Sequence, residues 1–295
     1  MDKRKNPGKA YAFALMAIIC WSTVASAFKI ALKELNFMHL LLISNLTAIL
    51  ATFLILVING KFNKIFNYNI RYHSRSVLLG FLNPFLYYII LFKAYSLLPA
   101  QIAQPLNFTW PVILTLLSIP LLRQKISAKN ILALLVSFTG VFFISAQGNL
   151  INYKIIEPLG IFLALISSVI WSLFWILNMK DKRDDEIKLF FNFLFSGIYI
   201  VITCIIFSDF NFSLTVSFYA AIYSGIFEMG ITFILWLKAL QLSKTTDRVT
   251  NLVYIAPFLS LILIHYVLKE DIFFTSIIGL ILIVLGIIIQ RIRHQ

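Results

Sequence analysis

Ten apolar runs, each about as long as a bilayer is thick, constrain this chain more than any other feature. They lie near residues 10–30, 38–58, 76–97, 101–122, 129–146, 158–178, 188–207, 215–240, 249–268 and 272–290. A hydrocarbon core needs roughly 20 apolar residues of helix to cross it. Of the 295 residues, 60% are apolar and only 13% are charged, more apolar surface than a soluble domain can hide. The sequence therefore predicts an all-α integral membrane protein of ten transmembrane helices, with no room for a separate soluble module.

The net charge of +13 raises the question of nucleic acid. A nucleic-acid surface needs its basic residues gathered on one polar face, whereas here they occupy short gaps between apolar runs, so no nucleic-acid partner is expected. Lys and Arg in such gaps are retained in the cytoplasm. With the amino terminus inside, all of the 25 basic residues except Lys29, Lys33, Lys93, Lys154 and Lys269 fall on the cytoplasmic side. Both termini are then cytoplasmic, and the chain is expected as a multi-pass protein of a bacterial cytoplasmic (inner) membrane. Lys3, Arg4, Lys5 and Lys9, an apolar run and Ala25-Ser26-Ala27 imitate a secretory signal; a retained first helix is expected instead, because the repeat below needs it. Cys20 and Cys204 each lie inside an apolar run without CxxC spacing, so they read as small core residues and no metal site is expected.

Midway along the chain, Asp181, Asp184, Asp185 and Glu186 mix with Lys180, Lys182 and Arg183. This stretch predicts a solvated loop joining two halves. Matching the halves pairs Trp21-Ser22 with Trp171-Ser172, Asn45 with Asn192, Gly80 with Gly225, Lys93-Ala94 with Lys238-Ala239, Pro111 with Pro257 and Gly140 with Gly286, all at offsets between 145 and 150. Six pairs in order predict an internal duplication, residues 1–150 and 151–295. Five spans per half is an odd number, so the second half runs through the membrane the opposite way, an architecture recurrent among secondary transporters.

These motifs resemble the EamA-type ten-helix group of the drug/metabolite transporter superfamily. The carrying features are the Trp-Ser of the first and sixth spans, Lys93-Ala94-Tyr95 before Leu98-Pro99-Ala100, and Pro111 leading to Leu121-Leu122-Arg123-Gln124-Lys125. In the second half they are Phe227-Glu228-Met229-Gly230, Leu237-Lys238-Ala239-Leu240, and Pro257 leading to Val267-Leu268-Lys269-Glu270-Asp271 and Gly286. The resemblance implies a two-repeat fold and transport of a small metabolite. Gln124 stands where the family often has Glu and Asn45 where it often has Arg, so those roles do not carry over.

Glu228 lies near the middle of the eighth run. A carboxylate there costs at least ~2.5 kcal/mol even on lenient insertion scales, so it must face a cavity or a partner, and it reads as a proton-coupling or cation-binding group. Its repeat mate is Asn83, followed by Pro84, with Tyr87 and Thr232 adding hydroxyls on the same faces. The fourth span supplies Asn107 and Trp110, and its mate supplies Asn251 and Tyr254; each pair, three residues apart, shares a helical face. Trp21 and Trp171 lie mid-helix rather than at the headgroups, so they pack internally, each followed by a serine that can bond back to its own helix. Packing alone accounts equally for the glycines and for Trp110. Asn45 and Asn192 read as interhelical bonds, His265 as a structural histidine, and Lys93 and Lys238 as matched interface anchors.

The pattern thus points to a secondary transporter working by alternating access, its substrate cavity lined by the first, third, fourth, sixth, eighth and ninth spans. One midplane carboxylate beside aromatic walls suits an amino acid or an amine, and proton coupling through Glu228 is the expectation tested below. The chain holds no G-x-x-x-x-G-K-[ST] loop, so no ATPase is encoded in it, and no cofactor is expected. A membrane-embedded enzyme would need a reactive constellation such as H-E-x-x-H, which is absent, so no enzymatic activity is expected. A non-transporting receptor or scaffold would leave the Asn83/Glu228 match unexplained.

Overall fold

The computed structural model describes residues 6–110, 113–114, 116–117, 121, 128–146, 148, 157–179, 181–208, 213–242 and 251–291. Among these residues there are helices and no strand. Asn6 accepts from Lys9 N at 3.1 Å and Pro7 follows it, starting α1, Pro7–Ala31. Asn36 accepts from His39 N at 2.8 Å and starts α2, Phe37–Ile58. In both, the side-chain oxygen satisfies an amide that the helix leaves orphaned at its start.

The third run folds as α3, Ile70–Gly80, a π-helical segment Phe81–Leu86, and α4, Tyr87–Leu97. Then come α5, Ala100–Asn107, α6, Ala128–Ser145, α7, Pro158–Met179, and α8, Asp185–Phe207. The eighth run repeats the broken design: α9, Val216–Ser224, a π segment Gly225–Gly230, and α10, Ile231–Leu242. A 3-10 turn, Asn251–Tyr254, leads into α11, Ile255–Leu268, and α12, Phe274–Arg291, follows.

Among the described residues, six stretches are long and apolar enough to cross a membrane: Pro7–Ala31, Phe37–Ile58, Ile70–Leu97, Pro158–Asn178, Asp185–Phe207 and Val216–Ala239. Leu135–Ile144, Ile255–Leu268 and Phe274–Ile289 are shorter apolar helices. The polarity of the packing is inverted relative to a soluble bundle. On α2, Ser44, Asn45 and Thr52 are completely buried while Leu46, Leu50 and Leu54 are exposed. Ile198, Ile202 and Ile205 likewise face outward from α8. Such surfaces are stable only against hydrocarbon, and the chain is a multi-pass membrane protein.

α1 packs among α9, α10 and α11, α2 lies along α8, and α4 along α7. Glycines set the closest approaches. A Cβ on Gly80 would lie 2.5 Å from the Asn192 carbonyl oxygen of α8, and one on Gly225 would strike the Ser44 carbonyl of α2. Where α6 crosses α12, a Cβ on Gly140 would lie 2.5 Å from the Gly279 carbonyl, and the reverse holds at the same distance. The glycine facing Gly140 is thus Gly279 rather than its repeat match Gly286.

The stretch between the halves is not the solvated loop that its charges predict. The side chains of Asp181 and Arg183 are fully buried and pair at 2.6 Å. Arg183 also donates to Ser76 Oγ at 2.6 Å, and its guanidinium lies 5.9 and 5.8 Å from the rings of Tyr68 and Tyr72. Arg75 stands 3.9 Å from Asp181 and donates to the Leu177 carbonyl. Burial works to raise the Asp181 carboxyl, but the Arg183 hydrogen bonds and the two arginine charges outweigh it and hold it below its ordinary value. Mutual pairing takes the place of water here, which charge density along the sequence does not reveal.

Candidate functional site

A cavity opens between α1, α4, the stretch from α5 to Trp110, α7 and the second π segment, enclosing about 480 Å³. Six of the sequence candidates meet on this wall: Trp21, Tyr87, Asn107, Trp110, Trp171 and Glu228. Phe28, Tyr95 and Phe108 extend the aromatic lining, and Val253 of the 3-10 turn closes it. These come from the first, third, fourth, sixth, eighth and ninth apolar runs.

Glu228 sits midway along the span Val216–Ala239 and inside its π segment. One wide turn of helix re-aims its side chains, and such turns recur at functional sites. Glu228 is 6% exposed. Tyr88 donates to its Oε1 at 2.9 Å, while Oε2 has no hydrogen-bond partner among the described residues. Tyr88 was not among the sequence candidates. Its only signal is a second hydroxyl beside Tyr87, and its partner lies on another helix.

The amide wall is already engaged. Tyr87 donates to Asn107 Oδ1 at 3.2 Å, and Asn107 Nδ2 donates to Ser167 Oγ at 2.8 Å, which in turn donates to the Ala164 carbonyl. Tyr87 also packs on Trp171, ring centroids 4.7 Å apart, and Trp21 on Trp236 at 5.3 Å. Gln104, another residue that the sequence did not single out, lines the cavity with its Oε1 unpartnered.

Asn83 and Thr232 are buried but do not line this cavity. At Asn83 the backbone leaves the helix, with φ −150° and ψ 120°, so counting residues around an intact helix misplaces its side chain. Both of its amide atoms lie buried and unpartnered among the described residues. Thr232 donates to the Phe227 carbonyl, five residues back, which the π turn leaves without its regular partner. Its hydroxyl thus completes the segment that carries Glu228. The side chains of Asn251 and Tyr254, and Pro111, Gln124 and Lys125, lie outside the described residues.

The serines after the two matched tryptophans behave alike. Ser22 donates to the Ile18 carbonyl at 2.7 Å and lies 3.3 Å from the Ala256 carbonyl of α11. Ser172 donates to the Ser168 carbonyl at 2.7 Å and lies 2.8 Å from the Trp110 carbonyl. Trp110 and Ala256 stand at the repeat offset, so each serine ties its own helix to the equivalent neighbour. Asn45 reaches across to the Phe193 carbonyl of α8 at 3.2 Å, whereas both amide atoms of its match Asn192 are buried without a partner among the described residues. His265 pairs with the Glu270 carbonyl at 3.0 Å, Lys93 lies 5.2 Å from the Phe37 ring, and Lys238 lies 3.9 Å from Glu186.

The EamA-like transporter family matches residues 8–146 and 158–291. An uncharacterized transporter of Acidianus ambivalens is 28% identical over 177 residues, 57% of this chain and 66% of its own length. Another from Clostridium kluyveri is 28% identical over 186 residues, 58% of this chain and 56% of its own. The alignments therefore span less than two thirds of each relative. A solved crystal structure superposes with a TM-score of 0.70 over 97% of both chains at 19% identity, which shows a shared fold.

Proposed function

This chain belongs to the EamA-like transporter family, and on that premise we propose that it is a secondary transporter carrying a small amine-bearing metabolite, an amino acid or an amine, by alternating access. The observation that carries this reading is a midspan carboxyl with one unpartnered oxygen among the described residues, on a residue that lines an aromatic cavity. A buried acid without a pairing cation is costly to keep unless a proton or a cationic solute shares it. Glu228 is therefore the coupling group, exchanging a proton for the substrate, and Trp21, Tyr87, Asn107, Trp110 and Trp171 form the surrounding binding surface. Asn83, Thr232, Asn251 and Tyr254 complete the proposed set, the first two as supports of the broken spans.

The matched serine bonds and the two π segments support ten spans arranged as two inverted five-helix repeats, 1–150 and 151–295, in which the halves rock about the cavity. The basic residues gathered around Lys61, Arg75, Arg183 and Lys238 support placing that end, with both termini, at the cytoplasmic face of a bacterial inner membrane. No enzymatic step, bound nucleotide or nucleic-acid partner enters this reading.

The test is initial uptake of radiolabelled amino acids and amines into proteoliposomes under an imposed pH gradient. Glu228→Gln keeps shape and hydrogen bonding but cannot exchange a proton, so gradient-driven accumulation should vanish while solute exchange is partly retained. Wild-type accumulation with an unchanged pH profile in that variant would sink the coupling role.

A further inference from the structure

The polar atoms left without partners on the cavity wall decide which amine fits. Among the described residues those fully buried and unpartnered are Glu228 Oε2, Gln104 Oε1 and the Trp171 indole Nε1, and of the described lining side chains only Glu228 can carry a full charge at neutral pH. Among the described residues the lining contains no Lys, Arg or His. The nearest basic group toward the Tyr95 end, Lys29, is already held at 3.0 Å by both the Tyr95 and Leu98 carbonyls. Asn107 is also spent, its oxygen and nitrogen engaged by Tyr87 and Ser167.

A zwitterionic amino acid would bring its own carboxylate into this space, close to Glu228 and with no cation to receive it. Burying a charge without a partner is strongly unfavourable, and a like charge nearby adds to that. A protonated amine lacking a carboxylate meets neither penalty. Its N–H groups match the free carboxylate and amide oxygens, and its positive charge is attracted by the ring faces of Trp21, Tyr87, Trp110 and Trp171. The indole N–H of Trp171 then remains for a neutral acceptor such as a hydroxyl.

Resting on the transporter reading above, we propose that the cavity between Glu228 and its aromatic walls selects small protonated amines and amino alcohols and rejects the amino acids that share their carbon skeleton. Valine, valinol and isobutylamine make a matched series, equal in side chain and differing in carboxylate, hydroxymethyl or hydrogen.

The experiment titrates each probe into the full chain in proteoliposomes, reading tryptophan fluorescence for binding and counterflow for transport. Valinol and isobutylamine should bind at least about tenfold more tightly than valine, and Glu228→Gln should erase the difference while leaving the protein monodisperse. If that variant fails to fold, Gln104→Leu and Trp110→Ala serve instead, each weakening the amines more than valine. Valine binding as tightly as the amines overturns the selectivity, and valine counterflow would then leave the transporter reading standing. No binding by any of the three also overturns it. Amine binding that depends on Glu228 but gives no counterflow upholds the selectivity and sinks the transport reading.

Discussion

Tyr88 donates to one oxygen of Glu228, and the other has no partner among the described residues, so the Tyr88 hydroxyl helps fix the carboxylate. A hydrogen bond to a charged group contributes about 1.5–3 kcal/mol. Tyr88→Phe, which keeps the ring packing, should therefore lower amine affinity by roughly tenfold without loss of folded protein, measured by fluorescence titration beside size-exclusion elution. Unchanged affinity would mean that Glu228 is oriented by packing alone. Glu228 itself was legible because an acid midway along an apolar run has few structural explanations. Tyr88 was not, since its partner lies 140 residues away and its neighbour Tyr87 presents the same chemistry. Asn83 was misplaced for a local reason: a repeat offset gives depth in the membrane, but the direction of a side chain also needs the helix to continue, and at Asn83 it does not.

Broken spans and glycine crossings set the geometry at the next scale. In the eighth run the π segment exposes the Phe227 carbonyl, and Thr232 covers it. Thr232→Val preserves shape but removes the hydroxyl that this carbonyl accepts from, a cost of about 1 kcal/mol or more. A lowered unfolding temperature in detergent, rescued by Thr232→Ser, is the expected result, and an unchanged one would show that the segment closes by itself. Where α6 crosses α12, Gly140→Val would push a side chain into the Gly279 carbonyl, at 2.5 Å for the first added atom. Overpacking of this kind costs about 1–3 kcal/mol or more, so thermal stability should fall further than for a valine placed at the exposed Phe142. Apolar runs foretold these elements because length and hydropathy decide what crosses a bilayer. They did not foretell the π turns, since widening a helix by one residue leaves its composition unchanged. The charged connector failed for a similar reason: Asp181 and Arg183 satisfy each other, and pairing is invisible to a count of charges.

Ties between the halves close the molecule at both ends, and their strengths differ. At the basic end Arg183 of the connector binds Ser76 of α3 while pairing with buried Asp181, and Arg75 reaches the Leu177 carbonyl of α7. Lys61 meets Glu186 at 3.0 Å beside a polar cavity that Lys182, Arg183 and Lys238 also line. At the opposite end Glu270 accepts from Ala100 N and Gln101 N at the start of α5, and Gln101 bonds the Asp271 carbonyl at 2.6 Å. Exposed ion pairs such as Lys64–Asp184 contribute at most about 1 kcal/mol, whereas breaking a fully buried pair from one side costs about 3–5 kcal/mol. The buried Asp181–Arg183 pair thus holds in place the contacts that cross to α3, Arg183–Ser76 and Arg75–Asp181, which the proposed alternating access would have to open. Asp181 is held below its ordinary value of 3.8, so its stabilisation is complete above that value and is lost only as pH falls through the lower folded value. Wild-type stability should accordingly stay flat for this group from pH 7 to about 4, while Asp181→Asn should be less stable across that whole range, by about 3–5 kcal/mol if the fold otherwise holds. Its consequence for transport is directional. With Cys20 and Cys204 replaced and Leu91→Cys placed on the cavity wall, Asp181→Asn should speed labelling by an impermeant maleimide from the basic side, and Glu270→Gln from the other. Equal acceleration from both sides in either variant would mean that these contacts stabilise the fold as a whole and do not act as separate gates.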